Sequence, residues 1–238
     1  MKPLIYVFDV DGTLTPSRGK IEPEFKDWFL EFFTTRPFAL VSGSDRDKLL
    51  EQLGPEILDA ADMVFACSAN SIWIRDSEVY KSPWGPDDTL INFLQSELNT
   101  SQAPEFCGNH IEVRTGLVNF STVGRDCNQI QRKAYFKWDN EHNERKTICE
   151  RLMKTFPNLT AEVGGEISID IYPTGLDKSQ VIKYLDGYRI YFFGDGIKPG
   201  KNDWSLAQVL DKDSKAFPVV SYLDTWNQLK LLDTPVTI

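Results

Sequence analysis

Histidine is almost missing from this sequence: His110 and His142 are the two in 238 residues. Neither has a metal-ligand partner three or four positions away, and a nucleophile activated by an imidazole base is hard to assemble from so few. Both read as structural or surface residues. Cysteine is sparse too. Cys67, Cys107, Cys127 and Cys149 show neither a CxxC pair nor zinc-ligand spacing, which argues against a zinc module. Met1-Lys2-Pro3 runs straight into an apolar stretch, so no secretory leader is expected, and the thiols are expected to stay reduced in the cytoplasm. No apolar run approaches the ~20 residues that span a bilayer, which argues against a membrane protein. Positive charge is also short. A net charge of −9 argues against a nucleic-acid binder, whose footprint is basic; an anionic ligand would have to be met by a few placed residues. Repeats and low-complexity tracts are absent.

What is present is ordinary in bulk, 41% hydrophobic and 26% charged, and long enough for one large domain or two modest ones. The informative stretch is Leu4 to Thr15, LIYVFDVDGTLT. Five apolar residues end at Asp9, Asp11 follows two positions on, and Gly12 lets the chain turn sharply. A short apolar run before a glycine-containing turn predicts a buried strand of a parallel sheet. In such sheets the ligand lies beyond the carboxyl ends of the strands. Two carboxylates this close repel one another unless something positive, usually a metal ion, sits between them. An acidic Asp-Gly turn is the plainer alternative; the Asp-x-Asp-Gly-Thr spacing directly after a strand favours an active site.

Pro23 to Thr35 carries Phe25, Trp28, Phe29, Phe32 and Phe33 at the spacing of one helix face, which predicts core rather than a stacking platform. Phe38 to Val41 predicts a second strand, ending in Ser42-Gly43-Ser44-Asp45. Ser44 is expected to cap a helix reaching Leu53, with Gly54-Pro55 as its stop. Ser42, at a strand end before a helix N-terminus, is either a turn serine or a phosphate ligand. Met63 to Ala66 predicts a third strand, and Ile72 to Ile74 with Val79-Tyr80 a hairpin. This alternation implies a parallel sheet with helices on its faces. Near Pro83-Trp84-Gly85-Pro86 the pattern changes. A helix over Asp87 to Leu98, a hairpin about Thr115-Gly116, helices over about 128–138 and 143–155, and a hairpin about Gly164-Gly165 predict an antiparallel sheet with helices on one face. From Gly175 the first pattern resumes. It comprises a helix Asp177 to Leu185, a strand Ile190 to Phe193 ending in Gly194-Asp195-Gly196, and a helix opening near Asn202-Asp203. A strand Phe217 to Val220 and a helix near Thr225 to Leu232 complete it. The expected organisation is an α/β core, residues 1–83 plus 175–238, interrupted by an α+β domain over 84–174.

Asp9/Asp11, Ser42, Lys178 and Asp195 all fall where strands, or the helices after them, face one sheet edge. Asp9, a group at Asp11, and Asp195 would offer a hard cation oxygen ligands, as Mg²⁺ prefers. Asp9 is then the candidate nucleophile of phosphoryl transfer. Lys178 and the Ser42 hydroxyl would offset charge on the transferring group. Asp11 is placed to give a proton to the leaving oxygen and take one from the next nucleophile. In the interrupting domain, Arg114, Arg125 and Arg132 put three of ten arginines within nineteen residues. Strand alternation sets Arg114 opposite Ile111 and Val113, and Ser168 and Asp170 opposite Ile167, Ile169 and Ile171. One side of that sheet is thus expected to be apolar under its helices, the other to carry Arg, Ser and Asp. Arginines suit phosphate and a Ser with an Asp suits sugar hydroxyls; ordinary arginines on a wet face are the alternative.

The core set resembles the haloacid-dehalogenase superfamily of aspartyl-phosphate phosphotransferases, which implies an α/β fold, a Rossmann-like parallel-sheet core with an inserted α+β cap. More narrowly, FDVDGTLTPSR, SGSDRDKLLEQLG, IEVRTGLVN, VGRDC, GGEISIDIYPTGLDK and FFGDGIKPGKND resemble the eukaryotic-type phosphomannomutases. That likeness implies Asp9 as nucleophile, Asp11 as general acid/base, and Mg²⁺ among Asp9, Asp11 and Asp195. It implies a hexose phosphate bound by Arg18, Arg114, Arg125, Arg132, Ser168 and Asp170, a hexose 1,6-bisphosphate activator, and a homodimer through the cap. Two departures stand out. Ala69-Asn70-Ser71 replaces the family's Glu-Asn-Gly after the third strand, and Trp204 to Leu210 lacks the acidic residue of a second, peripheral cation site, which is therefore not expected. The leading expectation is a cytosolic enzyme interconverting mannose 6-phosphate and mannose 1-phosphate. Its rivals are a sugar-phosphate phosphatase with water as acceptor and an inert sugar-phosphate-binding protein.

Overall fold

Leu4–Phe8 forms the first strand, β1. Ile5 and Val7 belong to one buried cluster, Tyr6 and Phe8 to another. A strand that buries apolar side chains on both faces sits inside a sheet covered on both sides. The computed structural model describes residues 2–233, so the extreme ends of the expected core domain lie outside the described residues. After β1 come α1 (Pro23–Phe32), β2 (Phe38–Val41), α2 (Arg46–Leu53), α3 (Pro55–Ala60), β3 (Met63–Ala66), β4 (Ser71–Ile74) and β5 (Ser77–Lys81). Then follow α4 (Asp88–Thr100), β6 (Ile111–Arg114), β7 (Leu117–Phe120), α5 (Gln129–His142), α6 (Glu144–Thr155), β8 (Leu159–Gly164) and β9 (Ser168–Pro173). A 3-10 turn, Lys178–Lys183, precedes β10 (Arg189–Gly194), α7 (Trp204–Gln208), β11 (Lys215–Pro218) and α8 (Tyr222–Asp233).

The described residues divide into two compact units, 2–81 with 176–233, and Ser82–Gly175. The first holds a seven-stranded sheet in the order β11-β10-β1-β2-β3-β4-β5. Its strands from β11 to β3 are parallel, and β4 and β5 add an antiparallel hairpin. On one face lies the aromatic stripe of α1. Phe25 and Phe29 are fully buried, and Phe29 meets Phe8 edge-on with centroids 5.3 Å apart. Each such burial stabilises by roughly 1.5–3 kcal/mol, so the stripe is core.

Three local expectations need correction and a fourth, the stop at Gly54-Pro55, holds with an addition. Asp45, not Ser44, caps α2, its carboxylate accepting from the Lys48 N–H at 2.8 Å. Gly54-Pro55 ends α2 but also starts α3, because proline at the first helical position loses no bond that a helix would have made. The stretch after Asp177 is a 3-10 turn rather than an α-helix; its hydrogen bonds run back three residues, from the Gln180 N–H to Asp177 O and from the Tyr184 N–H to Val181 O. The last strand lies at Lys215–Pro218, earlier than Phe217 to Val220, because its pairing with β10 ends where Gly194 meets Pro218.

The second unit holds a four-stranded antiparallel sheet, β6-β7-β9-β8. Its apolar face presents Val118, Phe120, Ala161, Ile169 and Ile171 to Leu90 and Leu94 of α4 and Ile148 and Leu152 of α6. The register sets Glu112 opposite Asn119, Asn119 opposite Asp170, and Asp170 opposite Glu162. A polar row therefore crosses the other face.

One connection is strained. Cys67, Ser68 and Ala69, just past β3, all have positive φ (50, 57 and 68°) although none is glycine. Left-handed backbone costs about 1–2 kcal/mol per such residue.

Candidate active site

Asp9 sits one residue past β1 and is 3% exposed. Its own N–H donates to Phe193 O at 2.9 Å, which extends the pairing of β1 with β10. Thr13 Oγ1 donates to Asp9 Oδ2 at 3.0 Å, and Lys178 Nζ donates to Asp9 Oδ1 at 2.6 Å. Thr13 is in turn fixed: its hydroxyl accepts from the Asp195 N–H at 3.1 Å, and Thr225 Oγ1 donates to its carbonyl at 2.7 Å. Gly12 meets two demands at once. Its φ is +80°, and a Cβ there would lie 2.5 Å from Asp195 Oδ2, so the turn and the approach of Asp195 both need glycine.

Lys178 is 1% exposed and also donates to Asp203 Oδ1 at 2.6 Å. The other Asp203 oxygen accepts from the Gly196 N–H at 2.8 Å. Asp203 comes this close because Gly194 has no side chain; a Cβ there would sit 2.6 Å from Asp203 Oδ2. Carboxylate oxygens of Asp9, Asp195 and Asp203 lie within 4.8 Å of one another. Three carboxylates against one ammonium leave a surplus of two negative charges. Burial, then repulsion by Asp203, pushes the Asp9 pKa up to about 7, with Lys178 pulling the other way. Partial desolvation, then Asp203, raises that of the more exposed Asp195 as well. Burial works against the charge on Lys178, yet Asp203 and Asp9 outweigh it and hold its pKa above the usual lysine range. An oxygen-only donor set with excess negative charge fits a hard divalent cation. Asp9, Asp195 and Asp203 are the carboxylates close enough to one another to hold it.

The Asp11 carboxylate is not one of these three. Its Oδ1 accepts from the Arg18 backbone N–H at 2.7 Å and from Gln52 Nε2 at 2.9 Å, and the third carboxylate of the cluster is Asp203. Arg18 is exposed, and what it gives Asp11 is a backbone donor. Ser42, 3% exposed and just past β2, accepts from the Ser44 N–H at 3.1 Å. Sequence reasoning missed Asp203 and Gln52. The spacing of GDGIKPGKND gives no hint that its last aspartate folds back onto Lys178, whereas Gln52 on the buried side of α2, in line with Leu49 and Leu53, was a visible signal.

The second unit gathers a different set on the polar side of its sheet. Arg114 donates to both Glu112 oxygens, each at 3.0 Å, and Arg125 Nε lies 3.0 Å from Glu112 Oε2. Arg125 Nη1 donates at 2.9 Å to both Asn119 Oδ1 and Ser168 Oγ, and Asn119 Nδ2 donates to Asp170 Oδ1 at 2.6 Å. Arg114, Arg125, Ser168 and Asp170 are thus brought together, with Glu112 and Asn119 as members that sequence reasoning left out. Strand alternation could have found Glu112, two residues from Arg114 on the same face. Arg132 pairs instead with Glu166 at 3.2 Å. The Arg114 hydrogen bond holds the Glu112 carboxyl below the usual range. Burial pushes Asp170 up, against Asn119, Arg114 and Arg125.

The family profile described as eukaryotic phosphomannomutase matches residues 25–233. Phosphomannomutase 1 of Dictyostelium discoideum is 36% identical, over 96% of this chain and 96% of its own. Among solved structures, the C-terminal domain of trehalose-6-phosphate phosphatase from C. albicans superposes with a TM-score of 0.66 at 14% identity, covering 97% of this chain and 92% of that one. A haloacid dehalogenase-like hydrolase from Bacteroides thetaiotaomicron gives 0.61 at 13% identity, covering 97% and 100%. These two likenesses concern the fold alone, and the fold is the haloacid-dehalogenase type of α/β architecture. Among the described residues, no helix is long and apolar enough to cross a membrane.

Proposed function

The chain belongs to the eukaryotic phosphomannomutase family, and from that premise we propose that it interconverts mannose 6-phosphate and mannose 1-phosphate through a phosphoryl group carried on Asp9. One observation supports the reading above others: a buried carboxylate past a parallel strand, tied at one oxygen to a buried ammonium and at the other to a hydroxyl. Such a carboxylate is oriented before substrate arrives. Starting with the phosphoryl group on Asp9, Asp11 takes the proton of the free hydroxyl of the hexose monophosphate as that oxygen attacks phosphorus and the Asp9 carboxylate leaves, which gives a hexose bisphosphate. In the second half-reaction an Asp9 oxygen bonds to the phosphorus of the other phosphate, its bond to the sugar oxygen breaks, and that oxygen takes the proton back from Asp11. Lys178 and the Ser42 O–H offset charge on the transferring group. Mg²⁺ would be held by Asp9, Asp195 and a group at Asp11, and would supply further neutralisation of phosphoryl oxygens. Asp203 keeps Lys178 charged.

Arg114, Arg125, Ser168 and Asp170 are the proposed hexose-phosphate ligands of the second unit, with Arg132 and Arg18 as further phosphate contacts. A hexose 1,6-bisphosphate is the proposed activator, since it can load Asp9. The proposed setting is a cytoplasmic homodimer through the second unit, whose Phe106, Val113 and Ile130 are exposed. A coupled assay on mannose 1-phosphate, with and without hexose bisphosphate, tests the reading. Mannose 6-phosphate should form without stoichiometric free phosphate. Release of phosphate with no isomer formed would replace the mutase by a phosphatase, and binding without turnover would replace it by an inert binder.

A further inference from the structure

The proposed chemistry makes no use of the strained turn Cys67–Ala69 or of two buried amides beside it, Asn70 (0% exposed) and Gln180 (4%). The turn is bonded on both sides. Cys67 N–H donates to Ser44 O at 2.8 Å and Ser68 N–H to Ser42 O at 2.7 Å, which ties it to the loop carrying Ser42. On the other side Gln180 Nε2 donates to Ser68 O at 2.7 Å. Asn70 Nδ2 donates to Cys67 O at 2.8 Å and to Leu176 O at 3.2 Å. Leu176 and Gln180 stand two residues before and two residues after Lys178. Both partners of Asn70 Nδ2 are carbonyls, so the amide cannot be turned over. Its Oδ1 is consequently buried without a hydrogen-bond partner among the described residues. Three left-handed residues and an orphaned acceptor are retained together, and strain of this kind persists only where its surroundings hold it in place.

We propose that Asn70 and Gln180 are positioning residues for Lys178, clamping the 176–180 segment against the strained turn so that the ammonium is fixed on Asp9 and Asp203. The inference rests on Asp9 as phosphoryl carrier, whichever acceptor finally takes the group. Lys178 has a long, rotamer-rich stem, and its two ion pairs fix the tip rather than the backbone it springs from. That backbone opens a 3-10 turn, whose hydrogen bonding is poorer than an α-helix would give. Asp177 caps the turn, its carboxylate accepting from the Ser179 N–H at 2.7 Å, and the two amides tie the capped turn to the strained one. They also join the Ser42 loop and the Lys178 segment through one rigid piece of chain.

The test measures the single-turnover rate of Asp9 phosphorylation by hexose 1,6-bisphosphate, with KM and thermal melting, for the full chain and its variants. Gln180→Met keeps the volume and removes the donor. It should slow phosphorylation by about 10- to 100-fold, as expected for a small misplacement of a catalytic group, with KM nearly unchanged. In a Lys178→Ala background the same change should cost no further rate, because Gln180 acts through that lysine. Multiplying effects in the double variant would overturn the proposal, as would a lowered melting temperature with an unchanged phosphorylation rate. If Gln180→Met does not fold, Asn70→Ser carries the same cycle, and the same two results would overturn the proposal. Wild-type protein that never acquires phosphate on Asp9 would instead sink the carrier reading, and this proposal with it. A phosphatase in place of a mutase leaves the test intact, since both share the Asp9 step.

Discussion

The two units handle charge in opposite ways. In the first, three carboxylates face one buried ammonium and the surplus is left standing. In the second, Arg114 and Arg125 are matched by Glu112 and Asp170, with Asn119 and Ser168 filling the remaining hydrogen bonds. Imbalance in a buried site is costly unless a cation relieves it, so the first unit is built to be completed. The second is complete already, and an incoming phosphate must compete with Glu112. The one arrangement suits chemistry, the other exchangeable binding.

The sharpest break in this contrast is Asp9→Asn. The variant keeps a side-chain oxygen for Lys178 but removes the nucleophile and one surplus charge. Activity should fall by about 10⁴-fold or more, while circular-dichroism melting stays within a few degrees of wild type. Full activity in this variant would end the assignment of Asp9. Removing divalent cations is the next largest perturbation. EDTA should abolish turnover and Mg²⁺ restore it. Saturating Mg²⁺ should also raise the melting temperature, by the equivalent of about 2.7 kcal/mol at a hundredfold excess over Kd. Arg125→Ala should retain that thermal increment and Asp195→Asn should lose it; equal increments in both would erase the distinction between the units.

Within the second unit, Arg125 and Arg132 separate by their partners. Arg125 bonds three polar side chains of the sheet face, whereas Arg132 is paired with the half-exposed Glu166. Arg125→Ala should raise KM for the hexose phosphate by about 10- to 100-fold, the loss of one or two charge-assisted bonds. Arg132→Ala should cost less. Steady-state kinetics on mannose 1-phosphate checks the ranking, and a larger effect at Arg132 would show that its pairing with Glu166 gives way to the substrate.

Much of the fold is legible in the residues alone. Unbroken apolar runs that end in a polar residue mark buried parallel strands, and Leu4–Phe8, before Asp9, and Phe38–Val41, before Ser42, obey that rule. Alternation marks half-buried strands, and it sets Arg114, Ser168 and Asp170 on the polar side of their sheet. Harder to read are the places where two local rules tie. Ser44 and Asp45 are both good caps, and the choice falls to whichever residue is extended immediately before the helix. Gly54-Pro55 is a stop for one helix and a start for the next. The left-handed turn has no glycine to announce it, since its strain is offset by bonds to residues 42, 44, 176 and 180, distant in sequence or known only from the fold. Asp203 is invisible for the same reason: what makes it part of the cluster is Lys178, 25 residues away.

The smallest expected effect tests the idea of a self-compensated face most directly. Glu112 engages both Arg114 and Arg125, and its lowered pKa shows a carboxylate stabilised as the anion. A substrate phosphate needs those same guanidinium donors. Glu112→Gln keeps the shape and an acceptor oxygen but removes the competing charge, leaving the face one unit more positive. The site is partly exposed, so the gain is screened to well under the strength of a buried pair. KM for the hexose phosphate should drop by about two- to fivefold, and inorganic phosphate should inhibit more strongly by a similar factor. Turnover should not rise, because tighter ground-state binding does not lower the barrier from the bound state. If KM rises instead, Glu112 holds the two arginines in place for the ligand rather than standing in for it. The face would then be a scaffold completed by its acid, and the contrast with the first unit would narrow to a difference in which sign of charge each awaits.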